Sequence, residues 1–261
     1  MSELKFQWNG GRYDRNSRLQ YDLGMMAIDR LSPRDGEMIL DIGCGNGLVT
    51  IELARRIPGG RVCGVEPSSD MIAQAERNIT AARAANVTLV NISGLEITNR
   101  EEFDAVFSNS AVHWIQDLET LYRIIYDSLK NGGRIMVQTS PRERNALVDT
   151  IASMAQDEEF TPHIGNIRLP WRFCTIEENM ELLRSCGFMQ CSIEPYRHVF
   201  TFETETSLAG YLESAPMVPF LSVLPHNLKE AFRSRFMERY YAATGHTLEV
   251  ATGRLFISAV K

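Results

Sequence analysis

The chain has 261 residues, 44% of them hydrophobic and 23% charged, enough to bury a full core and too apolar for a disordered chain. Its formal charge is −6 with no basic stretch, which argues against a nucleic-acid partner, and no apolar run is long enough to span a bilayer. Met1 to Phe6 lack the apolar core of a signal peptide, and the five cysteines form no CxxC pair, so reduced thiols, no metal site, no membrane partner and a cytoplasmic location are expected.

Residues 12–31 read as a helix, with Leu19, Leu23, Met26 and Ile28 apolar and Pro33 just beyond its end. An alternation follows. Met38 to Ile42 is a short buried strand, Leu48 to Arg56 a helix and Val62 to Val65 a second strand. Ser69 to Ala85 is helical, Val87 to Val90 a third strand and Phe103 to Ser108 a fourth. Leu118 to Leu129 is a helix that Asn131-Gly132-Gly133 ends, and Arg134 to Val137 is a fifth strand. This rhythm indicates βαβ units in a doubly wound, mostly parallel α/β sheet, with ligands bound where the strand order reverses.

After about residue 140 the rhythm breaks into a helix-containing excursion over 141–173. Thr175 and Glu178 make a capping box that opens a helix, and Gly187 stops it. Residues 188–203 are β-prone on both sides of Pro195. Leu228, Phe232, Phe236 and Tyr240 share one helical face, and Leu255 to Val260 close the chain as a strand. Together these imply one 261-residue domain. The 1–33 head and the segments 141–173 and 205–245 are expected as helical lids above the sheet.

The strongest chemical signal is Asp41-Ile42-Gly43-Cys44-Gly45-Asn46-Gly47, where the first strand turns into a helix. Glycines there let a ligand lie against bare backbone. The fingerprint that seats a pyrophosphate needs a third glycine at position 48, which is Leu48. An acid two residues before Gly43 attracts an ammonium and opposes a pyrophosphate. S-adenosyl-L-methionine (SAM) has the first group, NAD the second. Glu66, ending the second strand, sits where an acid takes a ribose diol. Met71 then opens a helix that can border an adenine. A ligand-free turn with a solvated glutamate is the plain alternative.

These residues resemble class I SAM-dependent methyltransferases. Asp41 to Gly47 is similar to that family's first motif, Phe103 to Asn109 to its fourth-strand motif, and Leu129-Lys130-Asn131-Gly132-Gly133 to its turn before the fifth strand. Ser108 to Trp114, the head with Tyr13 and Gln20, and Pro219 to Pro225 are similar to the small-acid members that methylate trans-aconitate, malonyl carrier protein or juvenile hormone acid. The resemblance implies a seven-stranded sheet and SAM as cofactor, with S-adenosyl-L-homocysteine as product. Asp41, Gly43, Cys44 and Gly45 would line the methionine end, Asn109, Gln20 and Tyr13 would close over it, and Glu66 would hold the ribose. Pro67 and Met71 would border the adenine, with Ser93, Gly94 and Leu95 where relatives carry an acid.

Methyl transfer is an in-line displacement, so alignment and water exclusion dominate. A carboxylate acceptor needs no base. A hydroxyl or amine would use His113, the candidate catalytic residue, which otherwise lines the wall. Trp8, Trp114, Trp171 and Phe220 are candidates for an apolar substrate pocket, or for glue between lids and core. Arg142 and Arg144 either steer an acidic acceptor or sit in a solvated loop. An NAD-dependent dehydrogenase and a non-catalytic SAM-binding module remain the alternatives. The expected partner is a small-molecule methyl acceptor; its identity and the oligomeric state stay open.

Overall fold

The computed structural model describes residues 18–143, 146–165 and 170–261. In chain order it contains α1 (Arg18–Leu31), β1 (Met38–Ile42), α2 (Leu48–Arg56), β2 (Arg61–Val65), α3 (Ser69–Ala82) and β3 (Val87–Val90). A 3-10 turn over Gly94–Glu96 leads to β4 (Phe103–Asn109), and another over Val112–Trp114 leads to α4 (Leu118–Ser128) and β5 (Leu129–Thr139). Then come α5 (Ala146–Met154), α6 (Thr161–Ile164), α7 (Ile176–Ser185), β6 (Met189–Thr201), α8 (Glu205–Ser214), α9 (Val218–Val223), α10 (His226–Thr244) and β7 (Glu249–Val260).

The seven strands run in the order β3-β2-β1-β4-β5-β7-β6, as the doubly wound reading expects. The first five are parallel, and β7 runs antiparallel to both neighbours. The order reverses between β1 and β4, so the loops after these two strands form the crevice. Alternation along β1 places Ile39 in the apolar layer of α1 and α2, and Leu40 and Ile42 in the opposite layer with α4 and α7. Asp41 shares the face of Ile39 and so points toward α2.

Three strands differ from the sequence reading. β5 begins at Leu129, which pairs with Phe103 of β4, and the Gly132 N–H donates to Lys261 O at 3.1 Å and the Lys261 N–H to Gly133 O at 2.9 Å. The expected turn over 131–133 is thereby drawn into the ladder, and α4 stops at Ser128. β6 runs unbroken through Pro195, which a sheet edge tolerates because that strand has pairing on one side only. β7 starts at Glu249 and pairs with β6 as far as Thr201, so the two form a ribbon that outruns β5.

The helices between β6 and β7 lie against α5 and α6. Phe232, Phe236 and Tyr240 are buried along one face of α10, and the Phe160 and Phe232 rings meet edge-on at 5.3 Å. Asp157, after α5, accepts from Arg239 at 2.8 Å and from Arg235 at 3.2 Å. The excursion closes at its base, where the Arg142 N–H donates to Cys174 O at 3.0 Å.

Candidate functional site

The turn from β1 into α2 is built on Gly43 (φ +75°), Gly45 (φ +56°) and Gly47 (φ +78°), all in the left-handed region. Gly43 is constrained a second time: a Cβ there would lie 2.2 Å from the Ala111 Cβ in the loop after β4. The crevice loops thus meet through bare backbone. The Gly43 and Cys44 N–H groups donate to Val65 O at 2.8 and 3.1 Å, which ties the turn to β2.

Asp41 is buried, and the Thr50 hydroxyl on α2 donates to its Oδ2 at 2.7 Å. Burial pushes the Asp41 carboxyl up to about 7; the Thr50 bond opposes the rise and nearby Glu66 reinforces it. Glu66 is also buried and raised, while the N–H groups of Ser68 at 3.0 Å and Gly45 at 3.3 Å donate to its carboxylate. Neither acid has a Lys or Arg partner among the described residues.

Asn109 Nδ2 donates to Gln20 O at 2.9 Å. The side-chain oxygens Gln20 Oε1 and Asn109 Oδ1 are buried and receive no hydrogen bond. Both residues line, with Asp41, Gly43, Cys44 and Gly45, a small cavity of about 40 Å³. Two acceptors without donors beside a carboxylate suit an ammonium and repel a phosphate. This set of acceptors therefore fits the methionine end of SAM.

On the side expected for the adenine, Met71 is buried with its Cε over Gly45, and Pro67 is exposed. The Ser93 hydroxyl caps its own turn by accepting from the Leu95 N–H at 3.3 Å, while Glu96 accepts from the Ser93 N–H at 2.8 Å. Gly94 is buried and Leu95 exposed. Tyr13, Trp8 and Arg144 lie outside the described residues.

A larger cavity of about 860 Å³ adjoins this pocket and shares Gln20 with it. His113, Trp114, Trp171 and Phe173 form one wall. The Trp114 and Trp171 rings meet edge-on at 5.8 Å, and Trp171 stacks on Phe173 at 5.9 Å. Phe220 stands one layer back, packed against Trp171 at 5.9 Å and 2% exposed. His113 Nδ1 faces the Thr139 hydroxyl at 3.2 Å. Burial, and then the charge of Arg254, depress this imidazole to about 3, so it is neutral at pH 7. Arg142 is exposed and paired with Glu178.

Sequence reasoning missed Arg254, on the ribbon end of β7. It lines the larger cavity yet is only 9% exposed. Its Nη1 donates to the Ser140 hydroxyl, the Tyr211 hydroxyl is in hydrogen-bonding contact, and its Nε has no acceptor. The available signal was period-two alternation, which sets Arg254 on the buried face of Phe256.

Residues 40–135 match the family described as a methyltransferase domain. The trans-aconitate 2-methyltransferase of Delftia acidovorans is 25% identical, over 97% of this chain and 97% of that protein. The malonyl-[acyl-carrier protein] O-methyltransferase of Priestia megaterium is 29% identical, over 52% of this chain and 49% of that one. Among solved structures, a Haemonchus contortus phosphoethanolamine N-methyltransferase 2 bound to S-adenosyl-L-methionine superposes with a TM-score of 0.64 at 21% identity, covering 97% of this chain and 56% of that longer chain.

Proposed function

Since the chain is a class I SAM-dependent methyltransferase, we propose that it methylates a carboxylate oxygen of a small acid. The observation that carries this reading is His113. Its ring is the candidate base on the cavity wall, and a group depressed to about 3 takes up almost no proton at neutral pH. Burial also raises Tyr211 and Tyr240 above the usual phenol value, so both stay protonated. With these three side chains poorly suited to take a proton, an acceptor that arrives already ionised suits this cavity best. A carboxylate does so at pH 7; an alcohol or ammonium does not. The relatives named for trans-aconitate and for a malonyl carrier-protein ester support an acidic acceptor.

In this reading Asp41, Gln20 and Asn109 hold the ammonium of SAM, and Gly43, Cys44 and Gly45 border its methionine chain. Glu66 takes the ribose diol. Pro67, Met71, Ser93, Gly94 and Leu95 border the adenine. Bound SAM supplies a methyl group on a positively charged sulfur, a good leaving group. The chain aligns the acceptor and excludes water with Trp114, Trp171 and Phe173. His113 acts as a neutral polar wall beside Thr139. The head and the segments 141–173 and 205–245 serve as lids. A cavity of about 860 Å³ with aromatic walls suits an acid with an apolar body better than a compact polyacid.

The test is transfer of labelled methyl to a panel of trans-aconitate, medium-chain fatty acids and the matching alcohols and amines. Base-labile methyl esters are expected, formed with SAM saturating at a rate independent of pH from 6 to 9. Transfer confined to alcohols or amines would overturn the reading.

A further inference from the structure

Arg254 is a cation built into a cavity wall with no carboxylate in contact with it among the described residues. Among the described residues it forms no ion pair; its donors meet only the neutral oxygens of Ser140, Tyr211 and the Gly253 carbonyl. The carboxylate that acts on it, Glu143, is exposed and accepts from the Gly253 N–H at 2.9 Å. Nε is buried with nothing to donate to. Removing a guanidinium from water without a counter-ion is costly, and such groups persist where something else supplies the charge. Burial, and then the charge of Arg254, lowers both neighbouring imidazoles, His113 and His198.

We propose that Arg254 is the anion anchor of the acceptor site: it binds the carboxylate that becomes methylated, and so selects acids over their esters. This rests on the carboxylate reading above and adds the residue that recognises the group. A guanidinium recognises planar carboxylates by paired N–H donors. A single buried arginine matches a single carboxylate. A diphosphate would call for more cations or a metal, and no cluster of three metal-ligating side chains exists among the described residues.

The charge accounting also gives the site a direction. The carboxylate oxygen forms the new C–O bond as the S–CH₃ bond breaks; its electron pair enters that bond, and the sulfonium's pair returns to sulfur. No proton moves. The product is a neutral ester that no longer pairs with Arg254, so the reaction itself weakens the product's hold on the site.

The experiment uses the full chain saturated with S-adenosylhomocysteine, with dodecanoate, trans-aconitate and methyl dodecanoate as titrants in a calorimeter. Wild type should bind dodecanoate about 10–100-fold more tightly than its methyl ester. Arg254→Gln should lose that preference, and Arg254→Lys should restore part of it. SAM affinity, measured alongside, should stay within a few-fold in both variants, which shows that they are folded. The acid-to-ester ratio is internal to each variant, so a merely structural role of Arg254 does not move it. A preference retained in Arg254→Gln overturns the anchor, and so does a wild type that binds neither acid. Methyl transfer is scored separately. Acid binding lost in Arg254→Gln, with label found only on alcohols or amines, would keep the anchor and sink the carboxylate reaction. Ester formation with an unchanged KM in Arg254→Gln would do the reverse.

Discussion

The two halves of the crevice carry opposite electrical characters. On the β1–β2 side the polar side chains are acceptors: Asp41, Glu66, and the unpaired oxygens of Gln20 and Asn109. On the β5–β7 side the buried charge is the guanidinium of Arg254. Between them lies His113, held neutral. The construction differs as well. The first half is made of tight backbone turns in which the chain bonds to itself. The second is made of side chains from the loops after β4 and β5, from helices α5, α8 and α10 and from a strand ribbon. A donor with an ammonium and an anionic acceptor would each meet the opposite charge, and each half would hold its ligand independently. Substitutions in one half should therefore leave the other's ligand affinity intact.

The largest effect is expected from Asp41→Asn. Removing the buried anion should weaken SAM binding by at least 100-fold in calorimetry, about 3 kcal/mol or more. Wild-type SAM affinity should fall by up to tenfold per pH unit below about 7, where the free protein's Asp41 takes up its proton. The same substitution should stabilise the empty protein at pH 8. Asp41 is raised in the folded state, so its contribution is fully favourable below its unfolded value and is lost as pH rises through about 7. Asn does not titrate and still accepts from Thr50. A gain of about 2 kcal/mol in denaturant melts at pH 8 is expected, shrinking toward pH 4. If SAM affinity survived, the ammonium assignment would be wrong; if stability fell, so would the account of Asp41 burial.

Trp171→Ala comes next and reports on the other half. It removes the ring that links Trp114, Phe173 and Phe220. A loss of about 3 kcal/mol in stability and a tenfold or greater loss of kcat/KM for an acid acceptor are expected, with SAM affinity within threefold of wild type. Coupled losses of both ligands would show that the two halves do not act separately. A smaller effect is expected from Asp157→Asn, which breaks the ion pairs joining the α5–α6 segment to α10. About 1 kcal/mol of stability should be lost, with a raised acceptor KM, and the loss should shrink in high salt because these groups are partly exposed.

The same contrast explains what could be read from the sequence. The centre of the donor half is local: Asp41, the three glycines and Thr50 fall within ten residues, and their spacing carries the turn, the strand before it and the helix after it, while Gln20 and Asn109 join it from α1 and β4. Strands β1 to β4 accordingly fell within a residue or so of where periodicity put them. The acceptor half is non-local. β5 extends back to Leu129 because Phe103 of β4 pairs with Leu129 and the backbone of Lys261 bonds to Gly132 and Gly133, and β6 passes Pro195 because it is an edge strand. Neither condition is written near the residues concerned. Arg254 stood one residue before the apolar run read as the last strand, and only its alternation with Phe256 marks it as facing the core. Arg142, the arginine suggested by its place after β5, turned out to be exposed and paired with Glu178.

The smallest expected effect belongs to His113→Gln, and it discriminates most sharply between acceptor chemistries. Glutamine keeps a polar group beside Thr139 but cannot act as a base. If the ring only lines the wall, kcat for a carboxylic acid should fall less than about tenfold, and both proteins should show kcat flat from pH 6 to 9. The flatness follows from the pKa of about 3, which keeps the imidazole unprotonated over that whole range. A wild-type profile with a limb near pH 6.5 that vanishes in the variant would mean that His113 titrates in the complex and takes a proton. The acceptor would then be a hydroxyl or an amine, and the cation in the far wall would need another explanation.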